Sequence, residues 1–396
     1  MLGAIYIGLS GMKAYSQGLQ TISNNVANMN TLGFKATSVN FTDLYSHGGG
    51  GLGYLGGSAS GSGTQISSPQ IDFSQGDLRQ SSNDLDLAIQ GSGFFVLKDG
   101  DHTYYTRTGQ FVVDKDGYIS EKGTNYHLAV LDATGKATEI NLDSRRTNPP
   151  LATTRVTFAD NLSSSSTTAT VSNVIVYDAR GGKHSWAVQF DKAATQQGPT
   201  TDWNVTVKNE NGTTVATSKL SFLGSMVDPA TSQLEITTTP DGAEPLKVTF
   251  DFSSGVTSFS GGTTSTLRAA KIDGHGTGAL TAVTVDENGE VKLAWSNEQT
   301  ELAGKIAVAD FRDEQQLEAV GNGRYVYTGS GQSRMLASGT DGIGKVLSKQ
   351  LEASNVDLSG EFGELILIQR GFQASSQVVS VSNDMIQQLF GIRGQG

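Results

Sequence analysis

The 396-residue chain contains no cysteine, which excludes disulfide bonds, thiolate chemistry and cysteine-ligated metal sites. Only 17% of the residues are charged, the formal net charge is −11, and no Lys/Arg cluster occurs, so nucleic acid is disfavoured as a partner. Eighteen consecutive apolar residues are found nowhere, and the N-terminus lacks a basic region followed by a continuous apolar stretch. The sequence therefore predicts neither membrane insertion nor a cleaved secretory signal.

Glycine, in contrast, is abundant, with 49 residues, and this composition is typical of a turn-rich, largely β protein. Glycine is concentrated in the low-complexity run GGGGLGYLGGSASGSG at residues 48–63. A glycine-rich loop that binds phosphate would be followed by Gly-Lys-Ser/Thr, which is missing here. We interpret the run as a flexible connection.

The two chain ends carry helical patterns. Large apolar residues recur every seven positions at both ends, with further apolar residues at three- and four-residue offsets, which is typical of long amphipathic helices with a coiled-coil-like seam. Asparagines near the end of the first helix, together with Gly33, are typical of helix termination. We predict an assembly interface formed by Ile5, Leu9, Met12, Leu19, Ile22, Asn24, Asn25, Val26, Asn28, Leu358, Phe362, Leu365, Phe372, Val379, Ile386 and Leu389.

Between the helices the apolar pattern changes to a period of two. Residues 85–97 and 111–119 predict strands of a first β domain, with a turn at residues 114–117. Asp114 and Asp116 could begin a calcium loop, but the third acid and the terminal glutamate are missing, so a turn is favoured.

The Ser/Thr-rich stretch that follows alternates apolar and polar residues in several segments, for example around Trp186, Trp203 and Val248. Turn signals such as those at residues 209–212 and 241–242 separate these segments, which predicts a second antiparallel β domain. Alternation at residues 291–295 and 306–311 then completes the first β domain.

The predicted fold is mixed and mainly β: two nested antiparallel β domains, with N- and C-terminal helices that form a coiled-coil-like core domain. The predicted segments are an N-terminal assembly helix (1–33), a glycine-rich connection (34–75), a first β domain (76–150 and 273–338), an inserted outer β domain (151–272), a second connection (339–357) and a C-terminal assembly helix (358–396).

Catalytic patterns are missing from the sequence. The five histidines stand apart from one another, no Gly-x-Ser-x-Gly motif occurs, and the acidic residues lie mostly at predicted turns. We expect a protein that is not an enzyme, with no catalytic residues, no metal site and no cofactor.

Three regions of the chain resemble the family of bacterial flagellar rod, hook and junction proteins. LSGM at residues 9–12 and ISNNVANMNTLGFK at residues 22–35 are similar to its N-terminal signature, and GDL at 76–78 with LDLAIQGSGFF at 85–95 to its β segment. NVDLSGEF at 355–362 and QRGFQA at 369–374 are similar to its C-terminal signature. Gly371 departs from the pattern, since a residue that favours helix is usual there, and we expect it to loosen the helix.

The resemblance implies a structural subunit. Rod members of the family usually have one β domain, whereas hook members carry a second one inserted in the first, so the insertion at residues 151–272 favours the hook branch. The resemblance further implies a helical homopolymer that forms a curved, flexible tube outside the cell, exported through the flagellar type III apparatus. Its implied partners are other copies of the chain, the distal rod protein, the hook cap protein, the hook–filament junction protein and the export apparatus.

Alternatives remain open at this stage. A distal rod protein of the same family would form a straight, rigid polymer. A secreted β-rich adhesin or glycan-binding protein would bind glycans as a monomer. A further alternative is that the terminal helices form a hairpin within one globular molecule and do not pair with neighbouring copies.

Overall fold

The structure is a computed structural model that describes residues 2–46, 60–132, 134–195, 200–239, 245–331 and 333–393. The chain divides into two compact units. Unit 1 comprises Met1–Asp143, Val283–Lys292 and Leu302–Gly396, and unit 2 comprises Ser144–Ala282 and Leu293–Glu301. The predicted insertion at residues 151–272 lies within unit 2.

The first part of unit 1 is one long helix followed by short strands. These elements are α1 (Leu2–Ala27), β1 (Thr37–Ser38), β2 (Phe41–Ser46), β3 (Ser60–Ile66), β4 (Gln70–Ile71), β5 (Leu78–Gln80), β6 (Leu87–Gln90), β7 (Phe94–Asp99), β8 (His102–Thr106), β9 (Phe111–Val113), β10 (Ile119–Glu121), β11 (His127–Leu131) and β12 (Ala137–Glu139).

Unit 2 is built from longer strands. They are β13 (Thr147–Asn148), β14 (Arg155–Asn161), β15 (Thr168–Tyr177), β16 (Lys183–Lys192), β17 (Thr200–Lys208), β18 (Thr214–Leu223), β19 (Met226–Val227), β20 (Gln233–Thr238), β21 (Leu246–Asp251), β22 (Val256–Thr257) and β23 (Arg268–Ile272).

The last part of the chain returns to unit 1. The division between the units falls within β24 (Gly278–Val285), β25 (Glu290–Trp295) and β26 (Thr300–Asp310). The remaining elements are β27 (Leu317–Gly321), β28 (Arg324–Tyr327), β29 (Arg334–Ala337), β30 (Lys345–Ser348), β31 (Gln350–Glu352) and α2 (Leu358–Arg393).

The sheet of unit 1 is antiparallel, with β26, β11, β7, β8, β28 and β27 as successive neighbours. Its central strand β7 is covered on both faces, because all four side chains of residues 94–97 are fully buried, as the continuous apolar run predicts. Phe94 packs in one cluster with Tyr105 and Phe311, whereas Phe95 contacts Phe111 at a ring-centroid distance of 5.4 Å.

Unit 2 buries a single large apolar core. The alternating residues predicted from the sequence point inward, and Val188, Phe190, Trp203 and Val248 are all fully buried. The strands of the unit are otherwise paired antiparallel, as predicted, but β14 pairs in parallel with β21 and with β22. Turn signals report only hairpins between neighbouring strands, whereas these partners are separated from β14 by most of the unit.

Two segments that the sequence analysis treated as connections contain regular structure. Residues 48–59 of the glycine run lie outside the described residues, but residues 60–66 form β3, which pairs with β2. Gly339 and Gly342 adopt positive φ angles in a tight turn closed by a hydrogen bond from the Gly339 N–H to the Gly344 carbonyl, 3.1 Å. The predicted turn at residues 241–242 is outside the described residues.

The helical predictions for both chain ends are confirmed as α1 and α2. The asparagines were expected to end the first helix, but Asn24 and Asn25 lie inside α1, which continues to Ala27. Among the described residues, no helix is long and apolar enough to span a membrane.

Candidate assembly site

The two terminal helices pack against each other within unit 1 along a stripe of small residues. Three glycines of α1 face α2 so closely that a Cβ atom added at any of them would lie 2.6–2.8 Å from a side-chain atom of α2. The facing pairs are Gly8 with Val379, Gly11 with Ser375 and Gly18 with Ile368. Since residue numbers rise along α1 while they fall along α2, the helices are antiparallel.

The packing around Gly371 explains why glycine stands where family members usually have a residue that favours helix. A Cβ atom at this position would lie 2.4 Å from Cζ of Tyr15, so only glycine leaves room for the tyrosine ring against α2. The missing side chain creates the space into which Tyr15 packs, and the expected loosening of the helix stays a prediction.

A polar contact fixes the other end of the pair. The Asn25 side chain is 1% exposed, and its Nδ2 donates to Glu361 Oε1 at 2.8 Å and to the Thr37 carbonyl at 2.9 Å. Its Oδ1 accepts the Thr37 N–H at 3.0 Å. Asn25 therefore binds α2 and the segment after α1 at once.

The environment of Glu361 disfavours its charged form. Burial raises the pKa of this carboxyl above its ordinary value, the neighbouring Glu364 and Asp357 raise it further, and the hydrogen bond from Asn25 opposes the shift.

The structure brings some of the predicted interface residues together and leaves others outside. Ile22 and Asn25 are buried in the helix pair. Half-buried are Ile5, Met12, Leu19, Val26, Asn28, Leu358, Leu365, Val379 and Ile386. Exposed are Leu9, Asn24, Phe362 and Phe372. Leu389 belongs to α2, but its side chain is not among those described.

The pattern of large apolar residues in the sequence does not identify the small residues at the contact between α1 and α2. Counting large apolar residues finds one row of each helix, whereas the row that faces α2 is Gly8, Gly11, Tyr15, Gly18, Ile22 and Asn25. A repeat of glycine at three- and seven-residue intervals was the available signal, since small residues at such spacing let two helix backbones approach closely.

Most large apolar side chains of α2 are left uncovered. Leu367 and Phe390 are each 68% exposed, and Met385 is 52% exposed. Large apolar side chains left exposed on a soluble protein often mark contact sites. The exposed apolar surface of the helix pair comprises Tyr6, Ile7 and Leu9 of α1 and Phe362, Ile366, Leu367, Phe372, Val378, Val381, Met385 and Phe390 of α2.

A groove runs beside α1 in the same unit. It has a volume of about 470 Å³ and lies between α1 and the hairpin of β2 and β3. Tyr6, Leu9 and Lys13 line one wall, and Leu44 and Ile66 line the other. The groove is large enough to receive apolar side chains of another helix.

Two of the histidines contact acids. His127 Nδ1 lies 3.3 Å from Glu139 Oε1, and His184 Nε2 lies 3.2 Å from Asp178 Oδ2. The acids near them also hold turns: Asp114, 3.7 Å from His127, accepts the backbone N–H groups at positions 116 and 118. The turn predicted at residues 114–117 is confirmed. His47 lies outside the described residues.

Comparison with known protein families gives four matches along the chain. Residues 5–35 match the flagella basal body rod protein family, and residues 347–392 match the C-terminal region of the flagellar basal body rod FlgEFG proteins. Residues 88–159 match the D1 domain of the flagellar hook protein FlgE/F/G, and residues 141–314 match the D2 domain of flagellar basal body protein FlaE. These matches, with paired helices at both chain ends, define a flagellar axial protein.

Similar proteins of known name extend over nearly the whole chain. The flagellar hook protein FlgE of Escherichia coli K12 is 28% identical, with 97% of this chain and 98% of that protein covered. FlgE of Treponema pallidum is also 28% identical, with 99% and 100% covered. The chain belongs to the family of flagellar hook proteins, and its function is that of a structural subunit of the flagellar hook.

A solved structure supports the fold. The crystal structure of the Helicobacter pylori flagellar hook protein FlgE2 superimposes with a TM-score of 0.51 at 16% sequence identity, covering 69% of this chain and all of that one. The mainly β fold with terminal helices is thereby confirmed.

Proposed function

We propose that the chain polymerises into a curved, flexible tube outside the cell, which acts as a universal joint between rod and filament and transmits motor torque. The observation that carries this proposal is the apolar surface that stays exposed although α1 and α2 already pack against each other within the subunit. Family membership supports the location in the flagellum.

Self-association is the favoured way to cover that surface. Complete burial of one large apolar side chain contributes about 1.5–3 kcal/mol, so several of them contribute on the order of 10 kcal/mol before the cost of ordering. The groove between α1 and the β2–β3 hairpin, which is lined by both apolar and polar side chains, supplies a receptor on the same unit. A contact between two different surfaces of one subunit does not have to close into a ring, and repetition then gives a helical tube.

The predicted interface residues fit this arrangement in two ways. Those that are buried or half-buried hold α1 and α2 together within a subunit, and exposed ones such as Leu9, Phe362 and Phe372 are available to neighbouring subunits. We propose that all of the predicted set contributes to assembly, directly or through the helix pair.

Unit 2 supplies the flexible part of the joint in this proposal. Its strands alternate buried apolar residues with outward polar ones, as in β16 and β20. Polar surfaces exchange hydrogen bonds with water at little net free energy, so contacts between them can change as the tube rotates.

The remaining partners follow from the position of a hook. We propose contacts with the distal rod protein at one end, with the hook cap protein during growth and with the hook–filament junction protein at the other end. We further propose export through the flagellar type III apparatus, without catalytic activity.

Electron microscopy of the purified chain under assembly conditions tests the proposal. We expect curved tubes from the native chain and none from a variant with Leu367→Gln, Val381→Gln and Met385→Gln, which removes exposed apolar side chains of α2. The matched control replaces exposed polar residues of the same helix, Gln373→Lys and Gln377→Glu, and should assemble normally. Straight rigid polymers would favour the distal rod protein, and a monomer that binds glycans would favour the adhesin.

Excision of unit 2 residues tests the role of the insertion. Leu151 and His275 exchange two backbone hydrogen bonds of 2.9 Å, so a short turn can join the chain where the insertion begins and ends. Deletion of residues 151–272 should still permit a tube, but a straight or differently curved one that transmits torque poorly. Failure of this variant to polymerise would show that the insertion holds the assembly together.

A further inference from the structure

Unit 1 contains a buried charge cluster of one acid and two bases. Glu352 Oε1 lies 2.6 Å from Lys35 Nζ, and Glu352 Oε2 lies 3.1 Å from Arg107 Nη1. The side chains of Lys35 and Glu352 are 0% exposed and that of Arg107 is 2% exposed. We call Lys35, Arg107 and Glu352 the buried charge cluster.

Backbone groups add hydrogen bonds to the cluster. Glu352 Oε1 also accepts the Gly76 N–H at 2.9 Å, and Lys35 Nζ donates to the Ser74 carbonyl at 2.6 Å. Arg107 Nη2 donates to the Gly91 carbonyl at 2.9 Å. Burial lowers the pKa of Lys35, and the carboxylate of Glu352 opposes that shift.

The position of the cluster in the chain is unusual. Lys35 follows the end of α1, Glu352 precedes the start of α2, and Arg107 lies just beyond β8 of the sheet. The cluster therefore joins the segment leaving the first helix, the segment entering the second and the β part of unit 1.

Backbone contacts bind the two helix-connecting segments to each other at the same place. The Gly33 N–H donates to the Glu352 carbonyl at 2.8 Å, and the Asn355 N–H donates to the Phe34 carbonyl at 3.3 Å. Asn355 Oδ1 accepts the Ala36 N–H at 2.7 Å, and its Nδ2 donates to the Asp72 carbonyl at 2.8 Å.

We propose that the buried charge cluster is the coupling that fixes the orientation of the α1–α2 pair relative to the sheet of unit 1, so that load on the helices passes into the β part of the subunit. This inference rests on the proposed function as a torque-transmitting polymer. The residues are positioning residues, since they act through the helices that they hold.

The physical reason is the directionality of a buried ion pair. Apolar packing tolerates sliding, whereas moving Glu352 away from either base leaves an uncompensated buried charge. A single carboxylate shared by two cations from two distant segments can be satisfied in one arrangement only. The cluster thus resists rotation at the place where both connecting segments meet the sheet.

Distance measurement in the free subunit tests the coupling directly. Because the chain has no cysteine, Gln20→Cys on α1 and Asp101→Cys in the turn between β7 and β8 allow two spin labels at exposed sites. We expect one narrow distance peak for the otherwise native chain and loss of that peak in Glu352→Gln. The double variant Lys35→Met with Glu352→Gln, which restores the native net charge of the cluster, should partly recover it.

Two controls separate coupling from general stability. Asp84→Asn removes an exposed ion pair with Lys349, 3.0 Å, close to the cluster in the chain, and should leave the peak unchanged. Leu317→Ala removes a buried side chain of the unit 1 core and should lower the melting temperature without broadening the peak. An unchanged peak in Glu352→Gln, or equal broadening in Leu317→Ala, would overturn the inference.

Assembly supplies the second readout. If the native chain forms tubes, those of Glu352→Gln should twist more easily under an applied torque than those of Asp84→Asn. Equal torsional stiffness of the two variants would count against the coupling. If the native chain forms no tubes, the proposed function fails, while the distance measurement still decides whether the cluster fixes the helices.

Discussion

Unit 2 and the terminal helix pair use apolar residues in opposite ways. In unit 2 the large aromatic side chains Phe190, Trp203 and Phe250 are fully buried in one core. In the helix pair glycines of α1 contact Ile368, Ser375 and Val379 of α2. Leu367 and Phe390 of α2 remain 68% exposed. Unit 2 completes its core within one chain and is therefore suited to fold stably by itself. The helix pair leaves apolar surface uncovered and is therefore suited to bind other copies of the chain.

The small-residue stripe explains how both properties coexist in one helix. Glycine against a side chain lets α1 and α2 approach closely, so the pair forms with only some of its larger residues, such as Ile368 and Val379. The other large residues lie on the remaining faces of α2, where another molecule can cover them.

The largest expected effect tests whether unit 2 is stabilised by its own apolar core. Trp203→Ala opens a cavity in the unit 2 core and should reduce its free energy of unfolding by about 3–5 kcal/mol. Denaturant melts would measure this, with Leu223→Ala as a control, since Leu223 is 48% exposed. Assembly through the helices should survive, and its loss in Trp203→Ala would show that the two regions are not independent.

A charge introduced into α2 tests whether the terminal helices carry the assembly. Leu365 is half-buried in α2, and Leu365→Asp places an unpaired carboxylate there at a cost of at least about 2 kcal/mol per subunit. Because the cost recurs in every subunit, sedimentation should detect no polymer, while thermal melts of unit 2 stay unchanged. Unimpaired assembly would contradict the assignment of Leu365 to the assembly interface.

The close contact of Tyr15 with Gly371 predicts an intermediate effect. Gly371→Ala gains helix propensity of about 1 kcal/mol but forces the tyrosine ring away, and overpacking of this kind typically costs about 1–3 kcal/mol. Helical circular dichroism during melting should show net destabilisation, relieved by adding Tyr15→Ala. Gly363→Ala is the matched control, since a Cβ atom there meets nothing within 4 Å, and it should stabilise α2.

The smallest effect concerns pH. The pKa of Glu361 is raised in the folded state, so its contribution to stability is present below the ordinary value of 4.5 and is lost as the pH rises through the folded pKa. Glu361→Gln keeps an acceptor for Asn25 and should make the helix pair more stable near pH 7 while flattening its pH dependence. Amide exchange at Ile22 as a function of pH measures this, with exposed Asp384→Asn as control. A native pH dependence in Glu361→Gln would refute the assignment.

Much of the architecture could be predicted from the sequence. Period-two alternation around Trp186 and Trp203 reflects strands with one buried face, and the continuous run at residues 94–97 reflects a strand buried on both faces. Seven-residue spacing at the chain ends likewise reflects helices. These patterns are local consequences of backbone geometry, so they can be read without knowledge of the fold.

Only the tertiary structure decided which residues of those helices touch. Gly8, Gly18 and Gly371 carry no apolar side chain to count, and their role appears only when the facing residue is known. The parallel pairing of β14 with β21 and the meeting of Lys35, Arg107 and Glu352 join positions far apart in the chain. The sequence by itself determined the helices, most strands and the family, because those depend on local periodicity and signature residues. Partners across long separations depend on how the elements pack, which no local pattern encodes.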